Sequence, residues 1–246
     1  MDAAKVVFVT GAASGIGRAA ADAFVRRGYR TVLADVDEAA GTAAAEELRA
    51  VGECTYVRCD VTDDGSVRSS VAAAVGTYGR LDAAFNAAGI DGEHGKRTAE
   101  SSMENWNRVI AVDLTGTFSC MRHEIPAIID SGGGSIVNCA STAGLRAAPT
   151  VSAYTAAKHG VVGLTKVAAK EYGRAGVRVN AICPGTVDTP MFRASMSAFA
   201  DRLAASTPVG RLAEAREIAD VALWLCDGAP GYLTGEVIAV DGGVGA

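Results

Sequence analysis

The sequence predicts a doubly wound α/β fold, a single domain over residues 1–246 in which seven parallel strands carry helices on both faces. Three observations lead there. Short β-rich runs alternate with Ala-rich helical stretches, so successive strands need crossover connections. Most of these runs are apolar at successive rather than alternate positions, as strands buried on both faces must be. With 246 residues of which 49% are hydrophobic, the chain can bury one large core, and no repeat, charged tail or low-complexity linker divides it. The expected strands are 5–10 "KVVFVT", 30–35 "RTVLAD", 54–60 "CTYVRCD", 81–86 "LDAAFN", 134–140 "GSIVNCA", 177–185 "VRVNAICPG" and 236–242 "EVIAVDG". The glycines of "SGGGS" at 131–135 read as a tight turn from helix into strand.

A net charge of -5 leaves no electrostatic footprint for nucleic acid or an anionic membrane. The amino-terminal "MDAAKVVFVTG" enters a strand pattern at once, with neither a basic leader nor a long apolar run, so a cytoplasmic protein is expected. The six Cys sit mostly in apolar runs and form no C-x-x-C pair, which reads as reduced core residues. The three His show no metal-ligand spacing, so no metal is expected.

The first strand runs into "TGAASGIGRAAADAFVRRG", where Gly11, Gly15 and Gly17 open a helix. Glycines there let the chain turn sharply and bring backbone N–H groups and the positive helix end up to a pyrophosphate. The spacing is G-x-x-x-G-x-G rather than G-x-G-x-x-G, so the identification of a Rossmann-like dinucleotide site rests on the strand before and the helix after. The second strand ends at Asp35, whose carboxylate can accept both ribose hydroxyls and would repel the extra phosphate of NADP. NAD is therefore the expected cofactor over NADP: the loop offers Ser14, Val36 follows Asp35, and Arg18 is the one nearby cation that weakens the argument. Asp60 with Val61, and the "NAAG" run Asn86, Ala87, Ala88, Gly89, end two further strands on the same edge. There Asp60 can meet the adenine amine and Gly89 permits close approach, although capping and loop roles explain the polar residues as well.

In "AYTAAKHG", Tyr154 and Lys158 stand four residues apart and share a helical face. A free tyrosine has a pKa of about 10, and a neighbouring cation favours the phenolate, so Tyr154 is expected to act as a general base towards an alcohol or, in reverse, to protonate a forming alkoxide. Ser141 ends the strand "IVNCAS" and can donate a hydrogen bond where charge develops on the substrate oxygen. Alone, Y-x-x-x-K is weak; joined to the glycine turn and Ser141 it is not.

The ordered set "TGAASGIG", "CDVTD", "NAAG", "IVNCASTAG", "YTAAK", "RVNAICPGTVDTPM" and "GYLTGEVIAVDGG" resembles the short-chain dehydrogenase/reductase family over nearly the whole chain. The resemblance implies Ser141, Tyr154 and Lys158 as catalytic residues. It implies a cofactor site built from Gly11, Ser14, Gly15, Ile16, Gly17, Asp35, Asp60, Val61, Asn86, Ala87, Gly89, Pro184, Gly185, Val187 and Thr189, with Tyr154 and Lys158 touching it. A homotetramer is implied too, formed by the long helices holding Trp106 and Tyr154 and by the C-terminal strand region. Two positions depart from the family pattern: Ala87 replaces a frequent second Asn, and Asp113 in "IAVDLTGTF" stands where an Asn usually supports a water-linked proton relay to the Lys. The relay is expected to survive, because the backbone carbonyl at 113 is unchanged and a carboxylate still accepts hydrogen bonds.

Three variable segments, 90–101, 142–152 and a lid at 186–212, are expected to wall the substrate site. Met191, Phe192, Met196, Phe199 and Leu203 suit a hydrophobic or cyclic secondary alcohol or ketone, and Arg146, Lys96 or Arg193 can meet a carboxylate. Three classes compete: an NAD-dependent alcohol dehydrogenase, an NADPH-dependent 3-oxoacyl-[acyl-carrier-protein] reductase, and a catalytically idle NAD-binding scaffold, which Asp113 alone favours. An epimerase of the extended relatives would need another glycine spacing and a larger C-terminal region.

Overall fold

A computed structural model describes residues 4–246. All seven expected strands are present and form one sheet: β1 (Val6–Thr10), β2 (Arg30–Asp35), β3 (Cys54–Arg58), β4 (Ala83–Asn86), β5 (Gly134–Cys139), β6 (Val177–Pro184) and, last in the chain, β9 (Val237–Val240). Their order is β3-β2-β1-β4-β5-β6-β9 and every pairing is parallel. The strand order reverses between β1 and β4, which opens a crevice at the carboxyl ends of the central strands.

Strand pleating divides the core. Val7 and Val9 of β1 pack with Phe24 of α1 (Gly15–Arg27), Leu48 of α2 (Glu38–Leu48) and Ile218 of α9 (Ala215–Leu223). Val6 and Phe8 face the other way, onto Val67 of α3 (Asp64–Tyr78), Ile125 of α5 (Gly116–Asp130) and Ala168 of α6 (Ser152–Tyr172). The two layers are the reason these strands lack polar alternation. Helix α5 ends as expected in the glycine turn, where Gly132 and Gly133 adopt φ of 97° and 102°, a backbone conformation costly for any residue with a Cβ.

Two features were not expected. The helix that begins as α4 (Met103–Val109) passes through a π-helical turn at Ile110–Thr115 before continuing as α5. After β6 a two-residue strand β7 (Val187–Asp188) pairs with β8 (Ala213–Glu214), framing the segment that holds α7 (Pro190–Ser195) and α8 (Ala200–Ser206). The lid thus starts and ends on a small ribbon of its own.

Candidate active site

At the first turn, Gly11 has φ of 66° and a Cβ there would lie 2.9 Å from the Ala88 backbone. Only glycine lets β1 turn against the exit of β4. Thr10 fixes the same junction, its Oγ1 accepting from the N–H groups of Ala87 and Ala88 at 3.1 and 3.2 Å. Ser14 makes no side-chain cap to α1, and no acidic residue occupies the helix's first turn, so its positive end faces the cleft uncompensated. Asp35 accepts from Ala13 N–H (2.9 Å) and Asp37 N–H (3.0 Å), which aims the carboxylate along the loop while leaving lone pairs free. Arg18 is engaged by Glu47 at 2.9 Å.

Gly11, Ser14, Gly15, Ile16, Gly17, Asp35, Asp60, Val61, Ala87, Gly89 and Thr189 line one cavity of about 320 Å³. A second, of about 290 Å³, shares Ile16, Ala87, Gly89 and Thr189 with it and adds Asp113, Ser141, Tyr154, Lys158, Pro184, Gly185 and Val187. An uncompensated helix terminus, a glycine-tight turn and a carboxylate at the far end fit a dinucleotide laid across the strand ends. Asp60 lines the cleft, and its Oδ1 accepts from Thr62 N–H (3.0 Å) and Oγ1 (2.7 Å), which hold its carboxyl below the usual range; the cap of α3 is Asp63, not Asp60 or Thr62.

Asn86 is the exception. It is buried away from both cavities, its Nδ2 donating to Glu124 Oε2 and Asn138 Oδ1, both at 3.0 Å. Asn86 and Asn138 are register partners on adjacent strands and so share one face of the sheet. Among the described residues no cation pairs with Glu124, and burial pushes its carboxyl up to about 8 against the pull of the Asn86 hydrogen bond.

In the second cavity, α6 presents Tyr154 and Lys158 on one face. Lys158 Nζ lies 5.4 Å from the Tyr154 ring centroid, donates to the Cys139 carbonyl at 3.0 Å and pairs with Asp113 Oδ2 at 3.2 Å. Ser141 accepts from Ala143 N–H at 3.1 Å and lines the same cavity as Tyr154. Gly144 lets the turn after Ser141 pack on α6, since a Cβ there would sit 2.7 Å from the Lys158 carbonyl.

Of the two groups expected to serve the relay at 113, the carboxylate itself reaches Lys158, while the backbone carbonyl accepts from Thr117 Oγ1 at 2.8 Å. The π turn carries Asp113 and buries it completely. Its Oδ1 accepts from Ile90 N–H at 2.9 Å. Burial favours neutral Lys158, but Asp113 and Tyr154 outweigh it and hold the ammonium charged.

The expected depression of the Tyr154 pKa does not follow. Burial pushes the phenol up, Lys158 pulls it down and Asp113 pushes it up again, for a net rise.

The lid supplies Met191, Phe192, Met196 and Leu203 to the cavity, while Phe199 is exposed outside it. None of the three suggested carboxylate partners lines it: Arg193 pairs with Asp188 (2.7 Å), Arg146 with Asp241 (3.2 Å), and Lys96 is exposed. Cys139, read from the sequence as a core residue, also lines it, and so do Asp91 and His94 of the 90–101 segment expected to wall the site, though neither was singled out.

The fold and the cleft define a nicotinamide-dependent oxidoreductase of the Rossmann type. A family model described as Enoyl-(Acyl carrier protein) reductase matches residues 11–245, and the chain belongs to the short-chain dehydrogenase/reductase family, acting on CH–OH groups or the corresponding ketones. It is 42% identical to 2,5-dichloro-2,5-cyclohexadiene-1,4-diol dehydrogenase of Sphingobium indicum, over 97% of this chain and 96% of that one. It is 40% identical to cyclohexanol dehydrogenase of an Acinetobacter species, over 97% and 94%. Among solved structures, levodione reductase superposes with a TM-score of 0.93 at 36% identity, over 99% of this chain and 98% of that one.

Proposed function

We propose that the protein interconverts an alicyclic secondary alcohol and its ketone with NAD as cofactor, Tyr154 exchanging the proton. The observation that carries this is one cavity in which Ser141, Tyr154 and Lys158 converge and most remaining walls are apolar. Two relatives whose names specify six-membered ring alcohols support the ring as substrate class. Asp35 at the ribose end, with Arg18 already paired to Glu47, supports NAD over NADP.

When bound, the nicotinamide ring supplies the hydride acceptor or donor. The main-chain N–H groups at the start of α1 bind the pyrophosphate, and Asp35 orients the adenosine ribose. Ser141 donates a hydrogen bond to the substrate oxygen, and Tyr154 takes the carbinol proton or returns it. Lys158, kept charged by Asp113, stabilises the phenolate from the ring side. Because burial raises the Tyr154 pKa, the resting phenol is protonated, the form that ketone reduction needs, and oxidation accelerates as pH rises. Initial rates of both directions against pH test this: an oxidation rate falling with rising pH contradicts the assignment.

Self-association as a homotetramer is part of the proposal. Met103, Trp106, Phe118 and Val167 are exposed on α4, α5 and α6, and Trp224 and Tyr232 near the C-terminal strand. Light scattering of the purified protein reads the mass directly.

A further inference from the structure

The catalytic set leaves one polar pair in the substrate cavity unused. Asp91 and His94 both line it, and His94 Nε2 meets Asp91 Oδ2 at 2.8 Å, with side-chain exposures of 29% and 28%. An ordinary loop ion pair would lie on a mobile tip. This one is pinned on both sides: Ile90 N–H donates to Asp113 Oδ1 at 2.9 Å, and Glu93 N–H donates to Asn105 Oδ1 at 2.8 Å. Gly92, at φ of 70°, lets the segment press against Asn105, whose Oδ1 a Cβ would approach to 2.6 Å. The same Asp113 that holds Lys158 therefore sets the height of the Asp91–His94 pair above the catalytic floor.

The chemistry of the pair selects its ligand. A carboxylate can only accept, so the imidazole nitrogen facing Asp91 carries the proton. In the neutral ring Nδ1 is then a lone-pair acceptor, and it makes no hydrogen bond among the described residues. An acceptor there asks for a donor on the substrate. A hydroxyl meets that need, whereas a ketone oxygen or a carboxylate does not, and the Asp91 charge repels the carboxylate further. The apolar lid opposite, with Met191, Phe192 and Met196, disfavours an ammonium group.

We infer that the preferred substrate is a diol: one hydroxyl is oxidised at Tyr154 while a second, on the same compact skeleton, donates to His94 as oriented by Asp91. This rests on the alcohol-oxidation reading above and narrows it.

The test compares cyclohexanol with cyclohexane-1,2-, 1,3- and 1,4-diol, each with NAD and with NADP, for the wild-type protein, His94→Phe and His94→Gln. Wild type is expected to show kcat/KM about tenfold higher for at least one diol than for cyclohexanol, the worth of one partly screened hydrogen bond. His94→Phe, which fills the space without an acceptor, is expected to erase that preference, and a thermal melt matching wild type excludes loss of folding. His94→Gln, whose side-chain oxygen still accepts, is expected to restore part of it. Equal turnover of cyclohexanol and every diol by wild type, or a diol preference that survives in His94→Phe, overturns the inference and leaves alcohol oxidation standing. Turnover of none of the four alcohols with either cofactor overturns the underlying reading, and the inference with it.

Discussion

Asp113 and Glu124 lie eleven residues apart on one continuous helix, both with no exposed surface, and they show what a buried carboxyl does with and without a cation. Asp113 meets Lys158 at 3.2 Å, and the two charges anchor Tyr154 on one side and the substrate loop, through Ile90, on the other. Glu124 has amides for company, one oxygen without a partner, and a carboxyl raised to about 8. Burial pushes both carboxyls up, but at Asp113 the Lys158 ammonium and the Ile90 N–H pull against it, whereas at Glu124 only the Asn86 amide does, because a desolvated charge persists only where a countercharge offsets the loss of water. The first carboxyl serves the cleft; the second is a liability to the core that grows with pH.

Removing the countercharge should break the contrast most severely. Asp113→Ala leaves the Lys158 ammonium buried and unpaired, and a stability loss of about 3–5 kcal/mol is expected, read from urea unfolding at neutral pH. A loss below about 1 kcal/mol would mean that the pair contributes little beyond packing.

Glu124→Gln should do the reverse. The unfolded carboxyl ionises above its ordinary value near 4.5, whereas the folded one keeps its proton until about 8, so stability falls as pH climbs between those values. Glutamine removes that penalty, and its amide can supply a donor to the unpartnered Asn86 Oδ1. Melting temperatures of variant and wild type should nearly coincide at pH 5 and diverge in the variant's favour at pH 9, by a stability gap on the order of 3–5 kcal/mol. A gap that is independent of pH would contradict the neutral state of Glu124.

The effect expected on catalysis alone is smaller: Asp113→Asn removes the same charge but keeps an amide oxygen that can accept from Ile90 N–H and Lys158. Asp113 pushes the Tyr154 pKa up, so its loss should move the rising limb of alcohol oxidation to lower pH. Unmoved pH profiles with turnover intact would show that the carboxylate acts by position alone.

The fold was legible because its signal is redundant: seven apolar runs, each bounded by turn residues, leave few other arrangements, and the bounds differ from the observed strands by at most two residues at an end. The positions of Ser141, Tyr154 and Lys158 were legible for a related reason, since strand ends and the i, i+4 spacing fix where such side chains point. What failed depended on parity and on partners. Asn86 ends a strand, but pleating turns it onto the face where Glu124 and Asn138 wait, and no motif announces parity. The π turn has the composition of any helix, yet its extra residue carries Asp113 to Lys158. Ribbon strands of two residues carry no periodicity at all, and His94 gains meaning only once Asp91 and the cavity lie beside it.

The central claim is that Tyr154 exchanges the proton of a ring alcohol while NAD takes the hydride. It is tested most directly by following NADH absorbance when wild type and Tyr154→Phe meet NAD and an alicyclic secondary alcohol at mildly alkaline pH. The account predicts NADH formation by wild type and a rate lowered about 10²- to 10⁴-fold in the variant, with NAD binding retained. Equal rates in the two proteins, or activity with NADP alone, would contradict it.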